Sequence, residues 1–203
     1  MTMHGVTLTM LLLFLLAGGG SDSTTAGCTC HVPNEIGSWC EIHQVGHVAL
    51  VEITSRSLFD ALDTHGHDVD PSTFSCGACQ AAIRTDGFCE EHRTGFVSQR
   101  AYFSRLTHVL AKGSPRSMAE IDCPVCRENA RTLGWCDSCR IGMVGRIAIE
   151  DNESFDHVSR ALAIVAVAQE AAATCEYCAV AIVTDTQCPV CRIRYRDGKP
   201  VEE

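Results

Sequence analysis

Residues 123–139 read CPVCRENARTLGWCDSC, and this stretch decides the expected fold. It contains two cysteine pairs with two residues between the members of each pair, and nine residues separate the pairs. Two thiolates at this spacing reach one ion because the backbone between them makes a tight turn, and two such turns complete a tetrahedron. The stretch therefore predicts a closed metal site with four protein ligands.

The same pattern recurs along the chain, which is typical of a repeat protein. The copy at 175–191 keeps all four cysteines, and the copy at 76–92 has histidine as its fourth ligand. The first copy also ends in histidine, and its opening pair is one residue shorter. The predicted ligand sets are Cys28, Cys30, Cys40 and His43; Cys76, Cys79, Cys89 and His92; Cys123, Cys126, Cys136 and Cys139; and Cys175, Cys178, Cys188 and Cys191. Fourteen cysteines and two histidines thus supply ligands for four ions.

The similarity extends beyond the ligands in the first three copies. Three residues after the last ligand stand Gly46, Gly95 and Gly142, and twelve residues after it stand Ser55, Ser104 and Asp151. Ser and Asp are good helix N-caps, and a helical apolar stripe follows each of them. Each of these copies is expected to run as a ligand pair, a short hairpin, a second ligand pair, β structure and a helix. The fourth copy is expected to lack a helix and to form a hairpin at Asp197-Gly198.

These patterns predict small metal-stabilised α+β repeats, in which metal rather than one large core is the main source of stability. We call the segment around each ligand set a module. The expected order is a signal-like segment at 1–27, module 1 with its helix at 28–65, module 2 with its helix at 76–112, module 3 with a long helix at 123–173, and module 4 at 175–203. The intervening segments 65–75 and 113–122 contain Gly and Pro and are expected to be loops.

Cys123-Pro-Val-Cys126, Gly134-Trp135-Cys136-Asp-Ser-Cys139 and Cys188-Pro-Val-Cys191 resemble the knuckles of zinc ribbons, and the short spacer resembles double zinc ribbons. The resemblance covers about 16 residues in each copy. It implies ribbon-like modules, a structural zinc ion in each and a protein-interaction surface. Four zinc ions are therefore expected, and iron stays open at the all-cysteine sites.

Two other uses of the cysteines were weighed. A disulfide framework fits an even cysteine count, but His43 and His92 occupy the slot that Cys139 and Cys191 fill. Histidine replaces thiolate at zinc and cannot form a disulfide, so the substitution favours metal. A redox-active Cys-x-x-Cys pair would require a thioredoxin-like βαβ context, which the sequence does not predict.

The N-terminus carries an apolar run, Val6 to Ala17, that is too short for an ordinary membrane span and is typical of a signal segment, although no Lys or Arg precedes it. We expect an exported or membrane-associated protein of the periplasm or cell envelope, with a cytoplasmic location left open. Lipidation of Cys28 is an alternative. In that case His31 would join Cys30, Cys40 and His43 as the first ligand set.

No catalytic motif was found, and four protein ligands leave no open position on a metal, so an enzyme is not expected. The net charge of −9 argues against a nucleic-acid partner. We expect a non-enzymatic scaffold for an unidentified protein partner; metal storage, trafficking or sensing and thiol–disulfide oxidoreduction are the alternatives. His65-Gly66-His67-Asp68 is a candidate exposed secondary metal site. Trp39, Phe88 and Trp135 precede the third ligand, where they either shield the metal or pack.

Overall fold

The computed structural model describes residues 37–201, which form antiparallel sheets and helices. The signal-like segment and the predicted ligands Cys28 and Cys30 lie outside these residues. Module 1 contributes strands β1 (Ser38–Cys40), β2 (Val45–Val48) and β3 (Val51–Ile53), followed by helix α1 (Arg56–Ala61).

In modules 2, 3 and 4 a helix precedes the hairpin. Module 2 and the segment before it contain β4 (His67–Asp68), α2 (Gly77–Thr85), β5 (Phe88–Cys89), β6 (Thr94–Val97), β7 (Arg100–Tyr102) and α3 (Arg105–Lys112). Module 3 and the segment before it contain β8 (Ser114–Pro115), α4 (Pro124–Asn129), β9 (Leu133–Cys136), β10 (Ile141–Val144), β11 (Ile147–Ile149) and α5 (Asn152–Ala172). Module 4 contains α6 (Glu176–Thr184), β12 (Arg194–Arg196) and β13 (Lys199–Val201).

Each module has its own antiparallel sheet. The strand orders are β1-β2-β3, β4-β7-β6-β5, β8-β11-β10-β9 and β12-β13. The two segments expected to be loops each supply an edge strand to the sheet that follows, since β4 pairs with β7 and β8 pairs with β11. Each also contains a short 3-10 helix, at Pro71–Thr73 and Met118–Glu120. Pro115 is tolerated in β8 because that strand lies at a sheet edge.

The segment between the two ligand pairs differs from the prediction. A short hairpin was expected there in modules 2 and 3, but the structure has helices α2 and α4. Module 4 was expected to lack a helix after its hairpin, and the helix it does contain, α6, lies between its ligand pairs, where no helix was predicted. The reason is local geometry: ligands at i and i+3 suit the first turn of a helix as well as a knuckle, so the pair spacing does not distinguish the two.

The helices that follow the hairpins begin where the sequence predicted. The side chains of Ser55, Ser104 and Asp151 accept hydrogen bonds from the amides of Leu58, Thr107 and Ser154 at 3.2, 3.5 and 2.7 Å. These contacts satisfy amide groups that have no partner within the helix. The third of these helices, α5, ends at Ala172, close to the expected end near Ala173, and the chain then leads directly to Cys175.

All four modules share two left-handed backbone positions. One is the residue after the last ligand, which is Gln44, Arg93, Arg140 and Arg192 in turn. The other lies six residues after that ligand, at Ala49, Ser98, Gly145 and Asp197, where it begins the turn that joins two strands. The predicted hairpin at Asp197-Gly198 is confirmed by this turn and by the pairing of β12 with β13. The second turn residue is also left-handed in modules 2 and 4, at Gln99 and Gly198, but not in modules 1 and 3, so within this turn the modules share the first position only.

The repeated glycine is explained by a ring that lies over it. A Cβ atom at the glycine of modules 1, 2 and 3 would approach a side-chain ring on the following helix to 2.4, 2.2 and 2.1 Å. The pairs are Gly46 with Phe59, Gly95 with His108, and Gly142 with Phe155. The same rings contact the aromatic residue before the third ligand, with centroid distances of 5.5 Å for Trp39–Phe59, 5.6 Å for Phe88–His108 and 5.7 Å for Trp135–Phe155. Each helix is therefore seated on its hairpin by a ring pair.

One apolar core connects the modules, which the sequence did not predict. Its centre is α5, which packs against α1, α3 and α6. The most buried contributors include Leu58, Leu110, Val158, Leu162, Val165 and Ile182. Burying one such side chain is worth about 1.5 to 3 kcal/mol, so this core adds to whatever stability metal supplies. The buried cysteines lie outside it, in three smaller clusters. Within residues 37–201, no helix is long and apolar enough to cross a membrane.

The ring over the glycine gives a direct test of the packing. Gly142→Ala places a methyl group against Phe155 and is expected to lower the free energy of unfolding of the metal-loaded protein by about 2 to 3 kcal/mol. Gly77→Ala is the matched control, because a Cβ there has nothing within 4 Å, and it is expected to be neutral or slightly stabilising. Urea unfolding followed by circular dichroism measures both, and equal stability of the two variants would contradict the packing.

Candidate metal centres

Three of the four predicted ligand sets come together in the structure. The ligand atoms of Cys76, Cys79, Cys89 and His92 lie within 4.8 Å of one another, as do those of Cys123, Cys126, Cys136 and Cys139 and those of Cys175, Cys178, Cys188 and Cys191. Burial follows one pattern in all three sets. The first ligand is partly buried, the second and third are buried and the fourth is exposed. Each set can therefore hold one ion at the edge of its module.

The distances between ligand atoms match a tetrahedral ion. Two sulfurs bonded to one Zn²⁺ at about 2.3 Å lie about 3.8 Å apart, and a sulfur and an imidazole nitrogen lie about 3.5 Å apart. Sγ of Cys123 lies 3.8 Å from Sγ of Cys136, and the corresponding distance from Cys175 to Cys188 is 3.9 Å. In module 2, Nδ1 of His92 lies 3.4 Å from Sγ of Cys79 and 3.6 Å from Sγ of Cys89. The clusters thus have the dimensions of a metal site.

The same distances do not correspond to disulfides. A disulfide joins its two sulfurs at about 2.05 Å, far below these separations. All eleven cysteines of the second, third and fourth ligand sets are unbridged in the structure. In module 2 the position of the fourth sulfur is taken by an imidazole nitrogen. The arrangement therefore favours coordination over a covalent framework.

Two kinds of backbone turn position the ligands. The first cysteine of each set, Cys76, Cys123 or Cys175, is the N-cap of a helix, and the second lies in the first helical turn. The third and fourth ligands flank a hairpin turn, and the left-handed residue that follows them returns the chain into the next strand. An ion would lie between a helix N-terminus and a hairpin, which differs from the two hairpin knuckles of a ribbon.

Backbone amides support the thiolate form of several ligands. The amide of Cys191 donates to Sγ of Cys188 at 3.3 Å and the amide of Cys126 donates to Sγ of Cys123, and each bond lowers the pKa of the thiol that accepts it. Hydrogen bonds to a charged sulfur favour that form, which is the species that binds metal. The ligand turns therefore stabilise the charge that coordination requires.

The thiol pKa values differ within each set. The backbone amide of His92 and its imidazole lower the pKa of Cys89 to about 7, and the amide of Cys126 lowers the pKa of Cys123 to about 7. Burial, helped by hydrogen bonding to Cys89, raises the pKa of Cys79 to about 12. At neutral pH some thiols are thus ready to bind, and others must release a proton when metal arrives.

The first ligand set is only partly placed by the structure. Sγ of Cys40 lies 3.4 Å from Nδ1 of His43 and accepts a hydrogen bond from the His43 amide at 3.4 Å. The Sγ–Nδ1 distance is close to the 3.6 Å between Sγ of Cys89 and Nδ1 of His92, which have the same separation in the sequence. Cys28, Cys30 and the alternative ligand His31 lie outside residues 37–201, so the choice between them stays a prediction.

An arginine contact beside two of the sites was not predicted. The guanidinium of Arg56 lies 5.2 Å from the ring centre of Trp39 and donates to Glu41 at 2.7 Å, and Glu41 stands between the ligands Cys40 and His43. Arg105 repeats this in module 2, over Phe88 and paired with Glu90. The sequence contains a pattern that would have indicated this contact, since each arginine directly follows the N-cap serine. These contacts tie the helix start to the ligand turn.

The histidine loop after α1 uses a different carboxylate from the one expected. The sequence pointed to Asp68, but Asp68 is exposed and faces Arg100 at 3.4 Å. Asp63 instead lies beside His65 and His67, and the three ligand atoms are within 4.8 Å of one another. Of the other histidines, His108 is buried with its ring over Gly95, and burial lowers its pKa. His108 is thus a packing residue.

A single ligand substitution tests whether the clusters bind metal. Cys126→Ser is expected to reduce the bound metal by one ion per chain, because it removes a buried thiolate from a site that needs four ligands. Ser138→Ala is the control, since Ser138 is exposed between two ligands and offers its site no sulfur. Elemental analysis of the purified proteins measures the count, and an unchanged count in Cys126→Ser would contradict the assignment of module 3.

Comparison of the chain with protein-family models, with curated proteins and with solved structures found no match. The resemblance to zinc ribbons therefore rests on the ligand pairs alone. The geometry supports a coarser statement: the chain is an α+β protein with three cysteine-rich clusters, two of four cysteines and one of three cysteines and a histidine, that are compatible with structural metal binding.

Proposed function

We propose that this is a non-enzymatic zinc protein in which four structural ions hold the ends of a helical scaffold that presents protein-binding surfaces. The observation that carries the proposal is the agreement between the sulfur–sulfur distances of 3.8 and 3.9 Å and those around a tetrahedral ion. Four protein ligands at each site leave no position for substrate or activated water. Zinc is the ion that such closed cysteine and histidine sets hold in structural sites.

A structural role fits the position of the clusters relative to the shared core. Each cluster joins a helix start to a hairpin outside the core around α5. These peripheral parts bury few large apolar side chains; the cluster in module 4, for example, consists of Cys178, Ala181 and Cys188 with two partly buried neighbours. Structural zinc in small modules contributes about 10 to 16 kcal/mol of apparent binding free energy per site, enough to order such segments.

Exposed apolar residues support a scaffold role. Ile42, Val125 and Val190 each lie between the two ligands of a pair and are 61, 53 and 62 % exposed. The ion would fix their backbone, so the contact surface would be rigid before a partner arrives. A cleft of about 550 Å³ between module 2, α5 and α6 adds a concave surface, with Ile164 in its lining and the Arg93–Asp185 ion pair at 3.9 Å. Exposed apolar side chains on fixed turns and a concave surface are both features that suit a protein partner.

Elemental analysis on protein isolated from its own cell tests the metal and the location together. We expect four zinc ions per chain, every cysteine accounted for as a ligand, and recovery from the envelope or exported fraction because of the signal-like segment at 1–27. After a strong chelator has removed the ions, hydrogen exchange is expected to accelerate most in α2 and α4 and least in α5, which the shared core retains. Unchanged exchange in α2 and α4 after verified metal loss would exclude a structural role.

Site-specific photo-crosslinking tests the interaction surface. A photoreactive residue at Val190 is expected to give a discrete adduct with a partner protein in the native host, because Val190 is exposed beside a fixed ligand turn. The same residue at Glu150, which is exposed but lies outside the ligand turns, is the control. A second substitution at Cys178 that removes the ion should abolish the Val190 adduct. Equal adducts from both positions would contradict a specific surface at the ligand turns.

Metal handling is a second candidate, and one observation favours it. The cluster of Asp63, His65 and His67 is a possible ligand set outside the cysteine-rich modules. A storage or delivery protein would carry more than four ions and exchange some of them quickly, whereas a purely structural set would exchange slowly. The number of ions per chain and their exchange rates discriminate the two functions.

A further inference from the structure

The loop after α1 and the first residue of β4 bring together three metal-binding side chains that belong to none of the cysteine-rich ligand sets. Oδ1 of Asp63 lies 2.7 Å from Nε2 of His67 and 3.7 Å from Nδ1 of His65, and the three ligand atoms lie within 4.8 Å of one another. Ligands of a tetrahedral zinc-like ion with bonds of about 2.0 to 2.1 Å lie about 3.4 Å apart. The two measured distances fall on either side of that value, so small side-chain rotations would complete the site.

The backbone of this loop is fixed by contacts that do not use the three ligand atoms. Asp63 has a left-handed backbone, and its second carboxylate oxygen accepts a hydrogen bond from the Phe103 amide at 3.3 Å. Gly66 is also left-handed, a Cβ there would meet the ring of Tyr102 at 2.7 Å, and its carbonyl accepts from Arg100 at 3.1 Å. The loop is therefore held in place before an ion binds, which lowers the entropy cost of binding.

The side chains are arranged with a buried base and an open face. The Asp63 side chain is 16 % exposed, whereas those of His67 and His65 are 42 and 69 % exposed. The His67 ring is oriented by contact with Phe103, at a centroid distance of 5.1 Å. The His65 ring packs edge-on against the His67 ring, at a centroid distance of 4.6 Å. An ion bound here would have three protein ligands and a free position facing solvent.

We propose that Asp63, His65 and His67 form a fifth metal site, open and exchangeable, for Zn²⁺ or a similar borderline divalent cation. Two imidazoles and one carboxylate are ordinary ligands for such ions, and three protein ligands leave the fourth position to water or to an incoming ligand. An ion bound here would replace the hydrogen bond between Nε2 of His67 and Oδ1 of Asp63. The site contains no sulfur, so it does not depend on the four-ion proposal.

Cadmium-113 NMR of the full chain distinguishes this site from the cysteine clusters, because the chemical shift moves with the number of sulfur ligands. With saturating ¹¹³Cd²⁺ we expect sulfur-rich resonances from the modules and one additional resonance typical of nitrogen and oxygen ligands. His65→Gln is expected to remove that resonance and one cadmium ion per chain, and its circular dichroism should match the parent because the side chain is largely exposed. A weak chelator should remove this ion before the others.

His47→Gln is the matched control, since Nε2 of His47 also faces a carboxylate, that of Glu52 at 3.6 Å, but belongs to no three-ligand group among the described residues. It should retain the additional resonance. The proposal fails if the parent protein shows no such resonance, if His65→Gln keeps it, or if His47→Gln loses it. Loss of the sulfur-rich resonances alone would count against the four-ion proposal and leave this site standing.

Discussion

The structure depends on bringing four ligand atoms to within 4.8 Å of one another from two separate turns of the chain. Thiolates at this distance repel one another, and only a cation at their centre or protonation relieves the repulsion. Within one set the thiol pKa ranges from about 7 at Cys89, where the amide and imidazole of His92 stabilise the thiolate, to about 12 at Cys79, where burial disfavours it. The helix start, the hairpin turn and the left-handed residue after it all serve to hold this arrangement.

Each of the first three modules also packs its following helix onto its hairpin in the same way. A ring on the following helix, Phe59, His108 or Phe155, lies over a glycine in the hairpin and against the aromatic residue beside the third ligand. Module 4 has Arg194 at the glycine position and no following helix within the described residues. The glycine thus occurs in the modules in which a helix follows the hairpin and lies over it. Trp39 and Trp135 also pack against the shared core, so in modules 1 and 3 the aromatic residue connects the ligand turn to that core.

Local features were readable from the sequence, and long-range ones were not. The ligand sets and the N-caps Ser55, Ser104 and Asp151 depend on residues within a few positions of each other, so spacing predicts them. The helix between the ligand pairs was missed because Cys76 and Cys79 satisfy a knuckle and a helical turn equally. The shared core was missed because it joins residues as distant as Leu58 and Ile182. Asp63 was overlooked in favour of Asp68 because adjacency in sequence does not give side-chain direction.

The central position of α5 has a consequence for synthesis of the chain. Leu58 and Leu110 belong to modules 1 and 2, yet they are covered by residues of α5 that the ribosome adds much later. Domains ordinarily fold in order from the N-terminus as they emerge. Here the early modules emerge with an apolar face that stays uncovered until residues 152–172 have been synthesised.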